Sequence, residues 1–134
     1  MSAVRFDVQT RIAKADTVRQ IAYGVVLEPR TADNPDTQGD WYDADDVEAA
    51  FHAFHEAIAK SGFAGDLMHD EATQAGHPHD SFIAPIDFEL GDQVVKTGSW
   101  VMGMHYPDPA IWDRVQKGEL GAFSVGGTGT RLRE

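Results

Sequence analysis

The 134-residue sequence contains no cysteine. That removes a disulfide framework and a thiol nucleophile together, and it fits a reducing cytosol. Positive charge is also scarce: 11 lysines and arginines face 22 acids, for a net charge of −11. Phosphate backbones repel such a surface, and no basic cluster interrupts it, so no nucleic-acid partner is expected. Long apolar runs are missing too. None approaches the ~20 residues of a membrane span, so no membrane partner is expected. The opening MSAVRFDVQT lacks the basic start and apolar stretch of a secretory leader. There is no internal repeat and no low-complexity segment. What remains is a chain that is 42% hydrophobic, enough for one domain with one core over residues 1–134. Its acidity serves solubility.

Hydrophobic patterning divides the chain into short elements. Residues 4–13 alternate as a strand does, and residues 18–28, rich in β-branched and aromatic side chains, read as a buried strand. Residues 30–40 are crowded with turn formers and form a loop. Asp43 and Asp46 then make a capping-box-like start for a helix. Val47, Phe51, Phe54 and Ile58 share one face of it, and Gly62 stops it. Residues 65–69 suggest a short strand. Residues 70–80, with Gly76 and Pro78, read as a polar loop. Residues 82–90 and 94–106 suggest two strands joined at Gly91-Asp92, a hairpin signal. Asp108 and Pro109 open a second helix, with Ile111, Trp112 and Val115 on its apolar face and Gly118 at its end. Residues 122–125 form a last core strand, continued over 128–133 past a glycine kink. This order lacks the regular alternation of a parallel α/β sheet. It predicts an α+β fold: a mostly antiparallel β-barrel or strongly curved sheet flanked by two helices.

Few side chains can do chemistry. Ser124 follows an apolar stretch and precedes two glycines, in GAFSVGGTG. Hydrolysis by serine needs an activated oxygen beside backbone N–H groups, and glycines permit close approach to a substrate. The motif is not the G-x-S-x-G elbow of α/β-hydrolases. His69 can take a proton near neutral pH as general base. The adjacent Asp70 would point to the opposite face of an extended segment, so it does not orient His69. His77 and His79 flank Pro78, and with His69 they form a set from which a zinc hydrolase is conceivable. Their spacing matches no metalloprotease helix, so no metal or other cofactor is expected. His52 and His55 belong to the first helix as structural residues, and His105 has no obvious partner. Trp100 and Met102 should share one strand face, Val101 and Gly103 the other.

Taken in order, IAYGVVLEP (21–29), QGD (38–40), VEAAFHAF (47–54), LMHD (67–70), SFIAPIDF (81–88), VKTGSWVMGM (95–104), IWDRVQKGE (111–119) and GAFSVGG (121–127) resemble the XkdF-type phage serine proteases. These are relatives of the prohead maturation proteases and are similar in fold to herpesvirus assemblins. The resemblance implies an assemblin-like barrel with surrounding helices, a serine endopeptidase, and cleavage of scaffold and major capsid proteins inside an immature head in the host cytoplasm. The family's histidine falls on His69 and its serine on Ser124. Related enzymes take the third catalytic member from downstream of the serine. Downstream of Ser124 this sequence carries a single acid, Glu134, at a terminus poorly suited to orienting an imidazole. Asp80, at a position often acidic in the family, is therefore the candidate. A homodimer is implied by analogy with assemblins.

The expected mechanism is acyl transfer. His69 deprotonates Ser124, Asp80 fixes the imidazole tautomer, and backbone N–H groups of Val125, Gly126 and Gly127 hold the oxyanion. The alternatives are a catalytically inactive head-assembly module on the same fold and the zinc hydrolase using His69, His77 and His79.

Overall fold

The computed structural model describes residues 2–36, 39–61, 76–119 and 123–131. Among them, strands β1 (Ser2–Thr10), β2 (Lys14–Asp16) and β3 (Ile21–Leu27) precede helix α1 (Ala44–Ser61). Then come β4 (His77–Ile83), β5 (Phe88–Leu90), β6 (Gln93–Val95), β7 (Trp100–His105), helix α2 (Pro109–Gln116) and β8 (Phe123–Arg131). The central sheet runs β2-β3-β7-β4, and β1-β8 and β5-β6 are two-stranded. Every pairing among the described residues is antiparallel.

The α+β class holds, but the expected barrel does not. Among the described residues the central sheet ends on β2 and β4, which do not pair with each other, and β1 and β8 pair in a separate ribbon. A barrel must close its hydrogen-bond ladder; these sheets are open.

Helix α1 forms as its sequence dictates. Asp43 Oδ1 accepts from the Asp46 N–H at 2.9 Å, and Asp46 Oδ2 accepts from the Asp43 N–H at 3.1 Å. This reciprocal pair satisfies amides that the first helical turn leaves over. Val47 and Phe54 are buried, with Phe51 and Ile58 packed beside them. Helix α2 starts on Asp108, whose Oδ1 accepts from the Ala110 N–H at 2.9 Å, with Pro109 in its first turn. It buries Trp112 and Val115 in the same cluster. Both described helices thus cover one face of the sheet, against Ala22 and the alternating Trp100, Met102 and Met104 of β7.

The opposite face of β7 carries Val101, which packs with Ala84, Leu90 and Val95. The β5-β6 hairpin covers that end. Its two-residue turn is Gly91-Asp92, with Gly91 at φ +63°. Asp87 Oδ1 ties the base of the hairpin by accepting from both Thr97 N–H and Thr97 Oγ1–H, each at 2.7 Å. Strand β7 is therefore buried on both faces, which explains its unbroken apolar character.

Several expected boundaries change. Residues 82–90 and 94–106 are not two strands but four, broken at 84–87 and at 96–99. Pro85 removes a ladder donor at one corner, and Gly98, at φ +88°, turns the other. Residues 18–20 belong to a turn rather than to β3; Asp16 Oδ1 accepts from the Val18 and Arg19 N–H groups at 3.1 and 3.0 Å. Strand β8 runs through its glycines without interruption. The strand expected at 65–69 lies outside the described residues.

Candidate active site

The expected polar loop at 70–80 is, from His77 onward, strand β4. Proline is tolerated there because β4 is the edge of the central sheet among the described strands. Across β4 and β7, Pro78 opposes Met104 and Asp80 opposes Gly103, so His79 is the extra residue of a bulge. The bulge puts Asp80 and Phe82 on the same face as His77, because residues directly opposite each other share a face. That face is opposite the one that the two described helices cover.

Three-strand rows position the polar groups. Tyr23, Gly103 and Asp80 are aligned across β3, β7 and β4. A Cβ on Gly103 would lie 2.6 Å from the Tyr23 ring, so glycine is what lets the tyrosine lie across the middle strand. Its hydroxyl then donates to Asp80 Oδ2 at 2.9 Å. His79 Nδ1 donates to the same oxygen, also at 2.9 Å. The bond from His79 is the main influence holding the Asp80 carboxyl below its ordinary range, with the Tyr23 bond adding to it. Tyr23 in turn is pushed upward by its burial and then by the carboxylate it serves. Asp80 is thus an ionised, oriented acceptor.

The next row joins Ile21, His105 and His77. His105 Nδ1 and His77 Nε2 meet at 3.1 Å, so His105 does have a partner. The sequence signal was unreadable without the β4-β7 register that sets the two side by side.

On the helix-covered face, His55 Nε2 hydrogen-bonds Ser81 Oγ at 2.7 Å, and the same Oγ accepts from Trp100 Nε1–H at 2.9 Å. His55 packs against the Phe51 ring at 4.5 Å. Burial, then the neighbouring His52, pushes His55 below the usual imidazole range. This unit satisfies the indole of the fully buried Trp100 and pins helix α1 to the sheet. His55 borders the apolar face of its helix, as its spacing predicts.

Of the expected catalytic set, His69 lies outside the described residues. The backbone of Ser124 sits in β8 opposite Gln9, and Val125, Gly126 and Gly127 oppose Val8, Asp7 and Phe6. Along an antiparallel pair, N–H groups point alternately toward the partner and away from it. At least one of those three therefore directs its N–H away from β1.

The family model described as "Putative phage serine protease XkdF" matches residues 7–133. This chain belongs to that family. The XkdF resemblance carried by the ordered segments is thereby established over nearly the whole chain. Among relatives, the Uncharacterized protein YqbD of Bacillus subtilis (strain 168) is 32% identical over 130 residues, covering 96% of this chain and 38% of YqbD. The Phage-like element PBSX protein XkdF of the same strain is 31% identical over 110 residues, covering 82% of this chain and 37% of that protein. The chain thus spans less than two fifths of these relatives. No solved structure matches it. Membership of the XkdF family makes a phage serine protease the frame in which Ser124 and the polar face of β4 are read.

Proposed function

We propose that this chain is the peptidase domain of a prohead maturation protease, cutting scaffold and major capsid proteins by an acyl-enzyme mechanism. The family match over residues 7–133 carries the reading, and the chemistry of the residues supports it. Ser124 Oγ attacks the scissile carbonyl while His69 takes its proton. The new C–O bond leaves charge on the carbonyl oxygen, which outward-facing N–H groups among Val125, Gly126 and Gly127 stabilise. His69 returns the proton to the leaving amine, and water then releases the acyl group.

Asp80 is the orienting acid in this proposal. Its Oδ2 already takes His79 and Tyr23, so it would meet the His69 imidazole through Oδ1. The enzyme would work within the assembling head in the host cytoplasm, as a homodimer.

Co-expression with the neighbouring scaffold and capsid genes, read by intact mass, tests the proposal. The parent should trim at least one head protein. Ser124→Ala and His69→Ala should each abolish trimming, to a similar extent, because the pair acts as a unit. Asp80→Asn should slow it with the fold intact. Full trimming by Ser124→Ala would overturn the mechanism. An intact, folded parent that assembles with head proteins but never trims them would instead make the chain a structural head module.

A further inference from the structure

His77 stands on an edge strand directly opposite His105 on the buried central strand. Their rings meet edge to face, with centroids 4.9 Å apart at 82°, and His77 Nε2 is 3.1 Å from His105 Nδ1. His77 is exposed and His105 half-buried. Two imidazole nitrogens bound to one ion at ~2.0–2.1 Å stand ~2.9 Å apart at a right angle and ~3.4 Å apart at the tetrahedral angle. The observed separation falls between those limits.

We propose that His77 and His105 form a two-imidazole site for a divalent transition-metal ion. As the contact stands, one of the two facing nitrogens carries the proton and the other its lone pair. To bind an ion the donor ring takes its other tautomer, its proton passing through solvent from the facing nitrogen to the far one, so that both rings stay neutral and a small ring rotation aims both lone pairs at the cation. Among the described residues no three ligating side chains converge, and water fills the remaining positions. His79 is nearby, its ring 6.4 Å from that of His105, but its Nδ1 is committed to Asp80. Nitrogen donors select copper, nickel and zinc, whereas magnesium and calcium require oxygen ligands. The net charge of −11 favours cation approach. This pair differs from the set His69, His77 and His79, because it uses the histidine that the strand register supplies. It does not depend on the peptidase reading.

Calorimetric titration of the full chain, free of any polyhistidine tag, tests the site. One equivalent of ion should bind, Cu²⁺ more tightly than Ni²⁺ or Zn²⁺, with no uptake of Mg²⁺. His77→Gln and His105→Gln should each weaken binding about tenfold or more, and His52→Gln should leave it unchanged. In the parent, Zn²⁺ should shift the ring NMR signals of His77 and His105 before those of the other histidines, an outcome that stands even where a variant fails to fold. Unchanged affinity in both variants, or first shifts at other histidines, would overturn the site.

Discussion

Replacing Ser81 by alanine should loosen the junction between helix α1 and the central sheet without removing any apolar contact of size. The hydroxyl accepts the indole N–H of Trp100 at 2.9 Å and bonds His55 Nε2 at 2.7 Å. Trp100 is 0% exposed, so its N–H would be left without water or partner. An unsatisfied buried donor costs about 1–3 kcal/mol. His55 is only partly buried and can turn to solvent, so it adds little. At about 4 °C per kcal/mol for a domain of this size, the melting temperature should fall by about 4–12 °C. Urea unfolding followed by circular dichroism measures the loss directly. A double-mutant cycle with Trp100→Phe should show a coupling of about 1 kcal/mol, because each change removes the same bond. Ser81→Ala should still cleave substrate once folded. A variant within ~0.5 kcal/mol of the parent, or strictly additive in the cycle, would refute the account of this junction.

Gly91→Ala should destabilise by at least about 2 kcal/mol, since it combines a positive φ of +63° with a Cβ 1.8 Å from the Ala13 carbonyl oxygen. Gly118→Ala, at φ +75° with nothing within 4 Å, should cost only about 1 kcal/mol; equal losses at the two sites in urea titrations would contradict the packing argument. Stability should also fall as pH drops from 7.5 to 5.5. His55 is held below its ordinary range, so the unfolded chain takes up the proton first, and the loss begins near the ordinary histidine value of about 6.5. The depressed Asp80 contributes stability that is present above the ordinary carboxylate range and lost as pH falls through its folded value. Thermal melts across this range for His55, and below the ordinary carboxylate range for Asp80, check the sign, and His55→Gln should flatten the upper part of the curve. Rising stability on acidification would contradict it.

Local signals made much of the fold legible. The Asp43–Asp46 cap, the Val47/Phe54 stripe, the Asp108-Pro109 start and the Gly91-Asp92 turn each encode their element within a few residues, and each is present. What stayed hidden depends on neighbours. His77 to Asp80 look like a loop because proline and three polar side chains suit a strand only at a sheet edge, and edge position is a property of the assembled sheet. Likewise Lys14–Asp16 forms β2 by pairing with β3 and carries little apolar signal of its own. The barrel expectation came from the family resemblance and from a count of strands, neither of which reveals whether a ladder closes. For the site, the ordered motifs pointed to the family that the match over residues 7–133 shows. The Tyr23–Asp80–His79 and His77–His105 contacts needed the bulge at His79 and the register beyond it.

The account stands or falls on whether the Ser124 hydroxyl is an activated nucleophile. Incubation with a fluorophosphonate, followed by peptide mass mapping, reads this without any knowledge of the natural substrate. The prediction is one covalent adduct on the peptide containing Ser124, lost in Ser124→Ala, nearly lost in His69→Ala and retained in Ser81→Ala. An adduct that persists in Ser124→Ala, or that disappears with Ser81, would contradict it.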